Sequence, residues 1–358
     1  MVMIGEGKAT YQGETLDGTE ALERAGLKPV VLSSKEGLIL LSGTTSVTAF
    51  ASLAIYDAQT LSLTADIAGS FTLEVLKGTL MAMDERLMAV RPHPDQINTA
   101  ANIRAILKDS PMLERYRGHR VQDALSIRCM PQLHGPVKKA VKDAQATLAI
   151  ELNSSVDNPL IFDEEDGGAV ALMGCNADGT YAGMASDNLC IAITDLCKMS
   201  NSRIDRLLNS LVSELPAFLN KNADFNNGLM MIQYASAGLQ GELRILAHPA
   251  VVDNLTTCAN QEDYVNMGYN AAKKAYDSMH LAKYILAAEL ICDGQALDCY
   301  EDKRCAKGTQ AIYDLLRTKV PEMDNDMPLT PYLEAVAQQI IDRAYIRTVE
   351  ASVGELKF

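Results

Sequence analysis

A mainly α-helical fold, a bundle of long helices with a small β-hairpin, is predicted by three features of this 358-residue sequence. Apolar residues recur at helical spacing through most of the chain, and strand-type alternation is sparse. Segments such as LAAEL, YASAGL and ATLAIEL place small residues where helices pack on more than one side. With no internal repeat and no Pro-, Gly- or Ser-rich linker, the pattern predicts a short lead-in over residues 1–32 and a continuous, elongated helical body over 33–358.

In the lead-in, Gly5, Gly7, Gly13 and Gly18 separate short β-prone pieces, the signature of a small hairpin or extended segment. The S-S-K-E run from Ser33 reads as a helix start. Helices are then expected over residues 34–57, 59–78, 97–108, 136–155, 183–213, 228–247, 263–290, 306–317 and 329–354. From Gly37 to Tyr56 the sequence carries no charge for 20 residues, the nominal length of a membrane span. Its two Gly, three Ser and three Thr favour a buried central helix instead. Two apolar runs around an acidic Gly-Gly turn, PLIFDEEDGGAVALMG (Pro159 to Gly174), predict a hairpin between helices with a solvated tip at Asp163 to Asp166.

A hydrophobic content of 48% with 22% charged residues suits a globular protein with a substantial core. A net charge of -14 without a basic block argues against nucleic acid and anionic membrane as partners. Eight cysteines show no C-x-x-C pair and no zinc-type spacing with the five histidines, so free thiols in a reducing cytosol and no metal are expected. Cys190/Cys197 and Cys292/Cys299 each repeat one helical face, as core-filling residues do. MVMIGEGKATYQGE lacks the basic-then-apolar order of a secretory signal, and the expected location is cytoplasmic. His119 and His134, on either side of Arg128, read as packed or hydrogen-bonding histidines.

Four segments between helices are rich in amides, carboxylates and glycine: NSSVDNPL (Asn153 to Leu160), GCNADG (Gly174 to Gly179), FNNGLM (Phe225 to Met230) and AHPAVVDNLTTCANQEDYVNMG (Ala247 to Gly268). Each alone could serve as a cap or turn. Together with IGEGKATYQGE, KEGLILLSGT and RGHRVQDALSIRCMPQ, their order and spacing resemble the histidine and phenylalanine ammonia-lyases, the aromatic amino-acid lyase family. The N-Q-E-D form is closer to the histidine branch.

The resemblance implies a homotetramer built around a large helix bundle, and elimination of ammonia across the Cα–Cβ bond of an aromatic or histidine-like amino acid. It implies an electrophilic methylidene-imidazolone made from an Ala-Ser-Gly triplet, together with a tyrosine base, in a region preceding I-G-E-G. No Ala-Ser-Gly occurs in these 358 residues, so the expected prosthetic group is absent from this chain and would come from a partner bearing the N-terminal part of a lyase.

By the same resemblance, Arg128 grips the substrate carboxylate, a role its planar guanidinium suits through two parallel hydrogen bonds. Gln122 lies beside the prosthetic group, Glu262 lines the pocket as an acceptor for a ligand N–H, and Met230 is a pocket methionine. Three positions depart from the family pattern: Leu125 replaces a tyrosine, Ser42 an asparagine and Ala177 an aromatic. Losing a phenol, an amide and an aromatic wall should weaken ammonia elimination, because groups that act as a unit are each costly to remove. Three readings therefore stand: a lyase subunit completed by a partner, a lyase without the prosthetic group acting on a substrate with a good amine leaving group, and a non-catalytic paralogue. Tyr181 and His134 are candidates for a base in the second.

Overall fold

The computed structural model describes residues 1–222 and 225–358. The chain forms two units, one of residues 1–45 and 155–178, the other of residues 46–154 and 179–358.

In the smaller unit, β1 (Lys8–Tyr11) and β2 (Glu14–Asp17) pair antiparallel with Lys8 opposite Asp17, joined by Gln12 and Gly13. Helix α1 (Gly18–Arg24) follows, and its Arg24 reaches Glu14 and Glu20 at 2.7 and 2.6 Å. The single turn α2 (Glu36–Ile39) comes next. Strands β3 (Leu160–Asp163) and β4 (Ala169–Leu172) make a second antiparallel hairpin, in the place the two apolar runs around the acidic turn predict. Its tip, Asp163 to Asp166, is exposed.

The helix expected over 34–57 does not form as one piece. After α2 the chain turns through Gly43 at φ 83°, where a Cβ would stand 2.2 Å from the Val156 carbonyl oxygen. A side chain has no room there and a helix cannot continue through that backbone. Lys35 forms an ion pair with Asp157, so the KEGLILLSGT and NSSVDNPL stretches are fastened together inside this unit.

The larger unit holds the remaining helices. It begins with α3 (Thr45–Val75), α4 (Glu85–Ala89), α5 (Pro94–Ile106), α6 (Pro111–Arg115), α7 (Leu125–Arg128) and α8 (Met130–Glu151). It continues with α9 (Thr180–Leu208), α10 (Ser210–Ser213), α11 (Met230–Leu246) and α12 (Gly268–Asp298). It closes with α13 (Lys307–Arg317), α14 (Thr330–Ile341) and α15 (Ala344–Val353). The helices expected to part near residue 58 are one helix, α3, because no Pro interrupts the run and its one glycine, Gly69, lies well beyond that point.

Helices α3 and α12 form the centre. Every residue from Thr60 to Val75 and from Ile285 to Asp298 is buried. Each buried Leu, Ile or Phe there contributes about 1.5–3 kcal/mol of hydrophobic stabilisation. Three hydroxyls of α3 are satisfied within the helix: Ser62, Thr64 and Ser70 donate to the carbonyls of Ala58, Thr60 and Asp66 at 2.6, 2.8 and 2.6 Å. Around this centre α9 packs against α12, α8 and α11, while α5 lies on α8. Among the described residues, no helix is long and apolar enough to cross a membrane, and no cluster of His, Cys, Asp or Glu has metal-site geometry.

Candidate active site

The segment from Tyr116 to Cys129 has little regular structure of its own, and its shape comes from what holds it. Pro131 lacks the N–H that would have bonded the Ile127 carbonyl, so α7 and α8 separate at Cys129. The result is a one-turn helix whose Ile127 is buried in the core while Leu125 remains 63% exposed. A single turn fixes several dihedrals for few hydrogen bonds and is unstable without outside contacts.

Those contacts come from two sides. Upstream, Asp123 is buried and accepts the Thr79 backbone N–H at 2.8 Å. Burial pushes its carboxyl above the ordinary range, opposed by the Thr79 N–H and by the Arg120, Arg206 and Arg128 guanidiniums. Further up, Glu214 receives Lys77 at 2.9 Å, His119 at 3.0 Å and Arg120 at 3.2 Å. The Lys77 hydrogen bond, assisted by that of His119 and opposed by burial, holds its carboxyl at a pKa of about 2. The loop is thus clamped before it reaches Gln122.

Arg128 and Gln122 are brought together: Nη1 of Arg128 donates to Oε1 of Gln122 at 2.8 Å. The half-buried Arg128 keeps a buried Nε–H with no hydrogen-bond partner among the described residues. One arm of the guanidinium is therefore fixed by an amide, while the Nε–H is left for another acceptor. A neutral partner on one side and a free donor on another is what a carboxylate needs to find. Leu125, three positions before Arg128, adds an exposed hydrocarbon surface and no polar atom.

The other residues singled out in the sequence stand on separate segments. Met230 is the first residue of α11, preceded by a loop whose Asn227 and Gly228 backbone N–H groups bond the Asp326 carboxylate at 2.8 and 2.9 Å. Glu262 lies in an exposed loop, where Thr257 Oγ1 donates to its Oε2 at 2.5 Å and the two residues also pair through their backbones. The Thr257 hydrogen bond, followed by that of Cys258, lowers its pKa and keeps it ionised. Among the described residues neither is hydrogen-bonded to Arg128 or Gln122. Ser42 and Ala177 belong to the smaller unit: Ser42 ends the turn after α2, donating its N–H to the Leu38 carbonyl at 2.9 Å, and Ala177 lies in the turn between Cys175 and Asp178.

His134 is fully buried, its Nδ1 2.8 Å from Asp66, which also takes Lys138 at 2.6 Å. Burial pushes the imidazole pKa down, and this histidine is part of the core. Tyr181 is 74% exposed at the start of α9.

Sequence reasoning missed Arg203 and Glu289. Both are fully buried on central helices, and Nη1 of Arg203 donates to the Ser126 carbonyl of α7 at 3.3 Å. Their signal was present: Arg203 falls in register with Leu196, Cys197 and Ser200 on the buried face of α9. A charge in a core register demands a partner.

A family model described as aromatic amino acid lyase matches residues 1–318. The histidine ammonia-lyase of Alkaliphilus oremlandii is 41% identical over 353 residues, 99% of this chain and 69% of that protein. The crystal structure of histidine ammonia-lyase from Trypanosoma cruzi superposes with a TM-score of 0.89 at 32% identity, covering 98% of this chain and 67% of that one. The ergothioneine-degrading ergothionase of Treponema denticola superposes with a TM-score of 0.87 at 26% identity, covering 96% of this chain and 69% of that one.

Proposed function

This chain belongs to the aromatic amino acid lyase family, and from that premise we propose that it forms the carboxylate-holding part of an ammonia-lyase acting on a histidine-like α-amino acid. One observation carries the reading: the Arg128 guanidinium is oriented by Gln122 and has a buried Nε–H without a partner among the described residues. In this reading Arg128 binds the substrate carboxylate, Gln122 sets its plane, Glu262 accepts from the imidazole or amine N–H, and Met230 forms part of the side-chain wall. Ionised Glu262 suits that role, since it can accept but not donate.

The methylidene-imidazolone that the resemblance implies is made from an Ala-Ser-Gly triplet in a region preceding I-G-E-G. There is no Ala-Ser-Gly, and Leu125 presents hydrocarbon where the resemblance puts a phenol. The electrophile and base of an ammonia elimination would come from polypeptide outside these 358 residues, in an assembly that includes further copies of this chain. Exposed apolar side chains of the larger unit, among them Tyr181, Met184, Tyr234 and Ile245, support a homo-oligomer, a tetramer in the family's manner.

A second reading is favoured by Leu125, Ser42 and Ala177. A substrate that loses an already good amine leaving group needs a carboxylate anchor and a base but no electrophile, and an ergothioneine-degrading enzyme is among the structural neighbours. The deciding experiment follows the absorbance of the unsaturated acid with the chain alone and with an electrophile-bearing lyase segment, across L-histidine and its N-trimethyl derivative. Product from L-histidine only with the added segment supports the first reading; product from the trimethyl substrate with the chain alone supports the second. Silence in every combination, with no binding of either compound, refutes both.

A further inference from the structure

Thr72, on α3, has a single hydroxyl proton but lies within hydrogen-bonding distance of two carboxylates, Glu289 Oε1 at 2.9 Å and Asp293 Oδ1 at 2.7 Å. If both carboxylates were ionised, one oxygen would face the hydroxyl lone pairs with no proton between them. Glu289 is already engaged by the Arg203 guanidinium through Nε and, at 2.9 Å, through Nη2, and by the Ser200 hydroxyl. Among the described residues Asp293 has no cation as a hydrogen-bond partner, and its Oδ2 is buried and unpaired. The arrangement closes when Asp293 carries the extra proton, donates it to Thr72 Oγ1, and Thr72 donates to Glu289. A buried carboxyl beside an ionised one takes this form.

The same chain of contacts leads out of the core. With Nε and Nη2 committed to Glu289, Arg203 has Nη1 left, and it donates to the main-chain carbonyl of Ser126 at 3.3 Å. Ser126 lies within α7, two residues before Arg128. The slot is tight, for a Cβ on Gly69 would stand 2.3 Å from Met130 Sδ and 3.4 Å from Arg203 Cζ.

We propose that Arg203 is a positioning residue for Arg128: spanning Glu289 and the Ser126 carbonyl, it fixes the pitch of the one-turn helix that presents the anion-binding guanidinium, while the proton on Asp293 leaves Glu289 free to hold it. This rests on Arg128 being the carboxylate anchor. The chemistry requires arginine, because three donors in a rigid plane reach both partners and the point charge of a lysine does not.

The test compares the full chain with Arg203→Lys and with the double variant Arg203→Met/Glu289→Leu, which replaces the pair by hydrocarbon of similar size and leaves no unpaired charge. Amide hydrogen exchange in the peptide covering residues 125–130 is measured alongside the calorimetric affinity for L-histidine. Both variants should keep the parent's circular dichroism while exchange at 125–130 rises about tenfold or more, selectively over other helix ends. L-Histidine affinity should fall by a similar factor, with no further loss when Arg203→Lys is added to Arg128→Ala. Exchange at 125–130 within about twofold of the parent in both variants overturns the proposal, since protection would then not depend on Arg203. If the parent binds no L-histidine, the functional reading fails by itself, and the exchange result still decides whether Arg203 holds α7.

Discussion

Arg128 donates to the amide oxygen of Gln122 at 2.8 Å, across the start of a one-turn helix. The amide is neutral, so it orients the guanidinium without cancelling its charge. Replacing Arg128 with Ala should therefore lower the affinity for an α-amino acid carboxylate by about 1.5–3 kcal/mol, roughly 10- to 150-fold, the range for a hydrogen bond to a charged group. Gln122→Leu should cost less, because the charge remains and only its orientation is lost. Isothermal titration with L-histidine ranks the two; equal losses would mean that Gln122 does more than orient.

Leu125 is exposed, so a larger side chain fits there without repacking the core. Leu125→Tyr should raise ammonia elimination from L-histidine about tenfold or more when an electrophile-bearing segment is supplied, because it restores a group that acts with the rest of the site. It should leave elimination from a trimethylated substrate unchanged. An equal effect on both substrates would remove the distinction between the two readings.

Asp293 is a raised-pKa carboxyl: burial pushes it well above the ordinary range, the neighbouring Glu289 charge adds to this, and Thr72 and Arg203 oppose it. Cys292 and Cys197 lie near this cluster, and burial raises both thiols; His134 feels the Arg203 charge, and burial lowers its imidazole. The folded state binds a proton that the unfolded state has already released, so stability falls as pH rises from the ordinary carboxylate range up to the folded pKa. Asp293→Asn keeps a donor for Thr72 and carries no charge. Its thermal midpoint should decline less than the parent's over that interval, as read by calorimetry from about pH 5 to about pH 9. Parallel curves would show that Asp293 is ionised in the fold.

Glu214 has the opposite sign. Its pKa is depressed to about 2, chiefly by the Lys77 hydrogen bond, with burial opposing and His119 assisting. Its contribution is present above the ordinary carboxylate range and is lost as pH falls toward 2. Because its side chain is 43% exposed, the contribution is at most about 1 kcal/mol. Glu214→Gln should flatten the acid limb of a thermal-midpoint curve by about that amount and increase hydrogen exchange over residues 116–123. An unchanged acid limb would place the loop's support elsewhere.

Much of this protein can be read along one dimension. Helical spacing located the long helices of the bundle, and two apolar runs around an acidic turn located the hairpin at Leu160 to Leu172. The order of short motifs gave the family and picked out Arg128 and Gln122, which meet because they are six residues apart on one segment. Periodicity is local, so boundaries set by distant neighbours escaped it. The helix expected from residue 34 stops at a Gly43 that is shaped by Val156, more than a hundred residues away.

Tertiary structure alone decided what stands behind the site. Thr72, Arg203 and Glu289 come from α3, α9 and α12, and nothing in their separate surroundings says that they share one proton and one guanidinium. A charge on the buried face of a helix signals only that a partner must exist, because an unpaired ion in the core is too costly. Which partner it finds, and that the remaining arm of Arg203 reaches the Ser126 carbonyl, follows from how the helices cross.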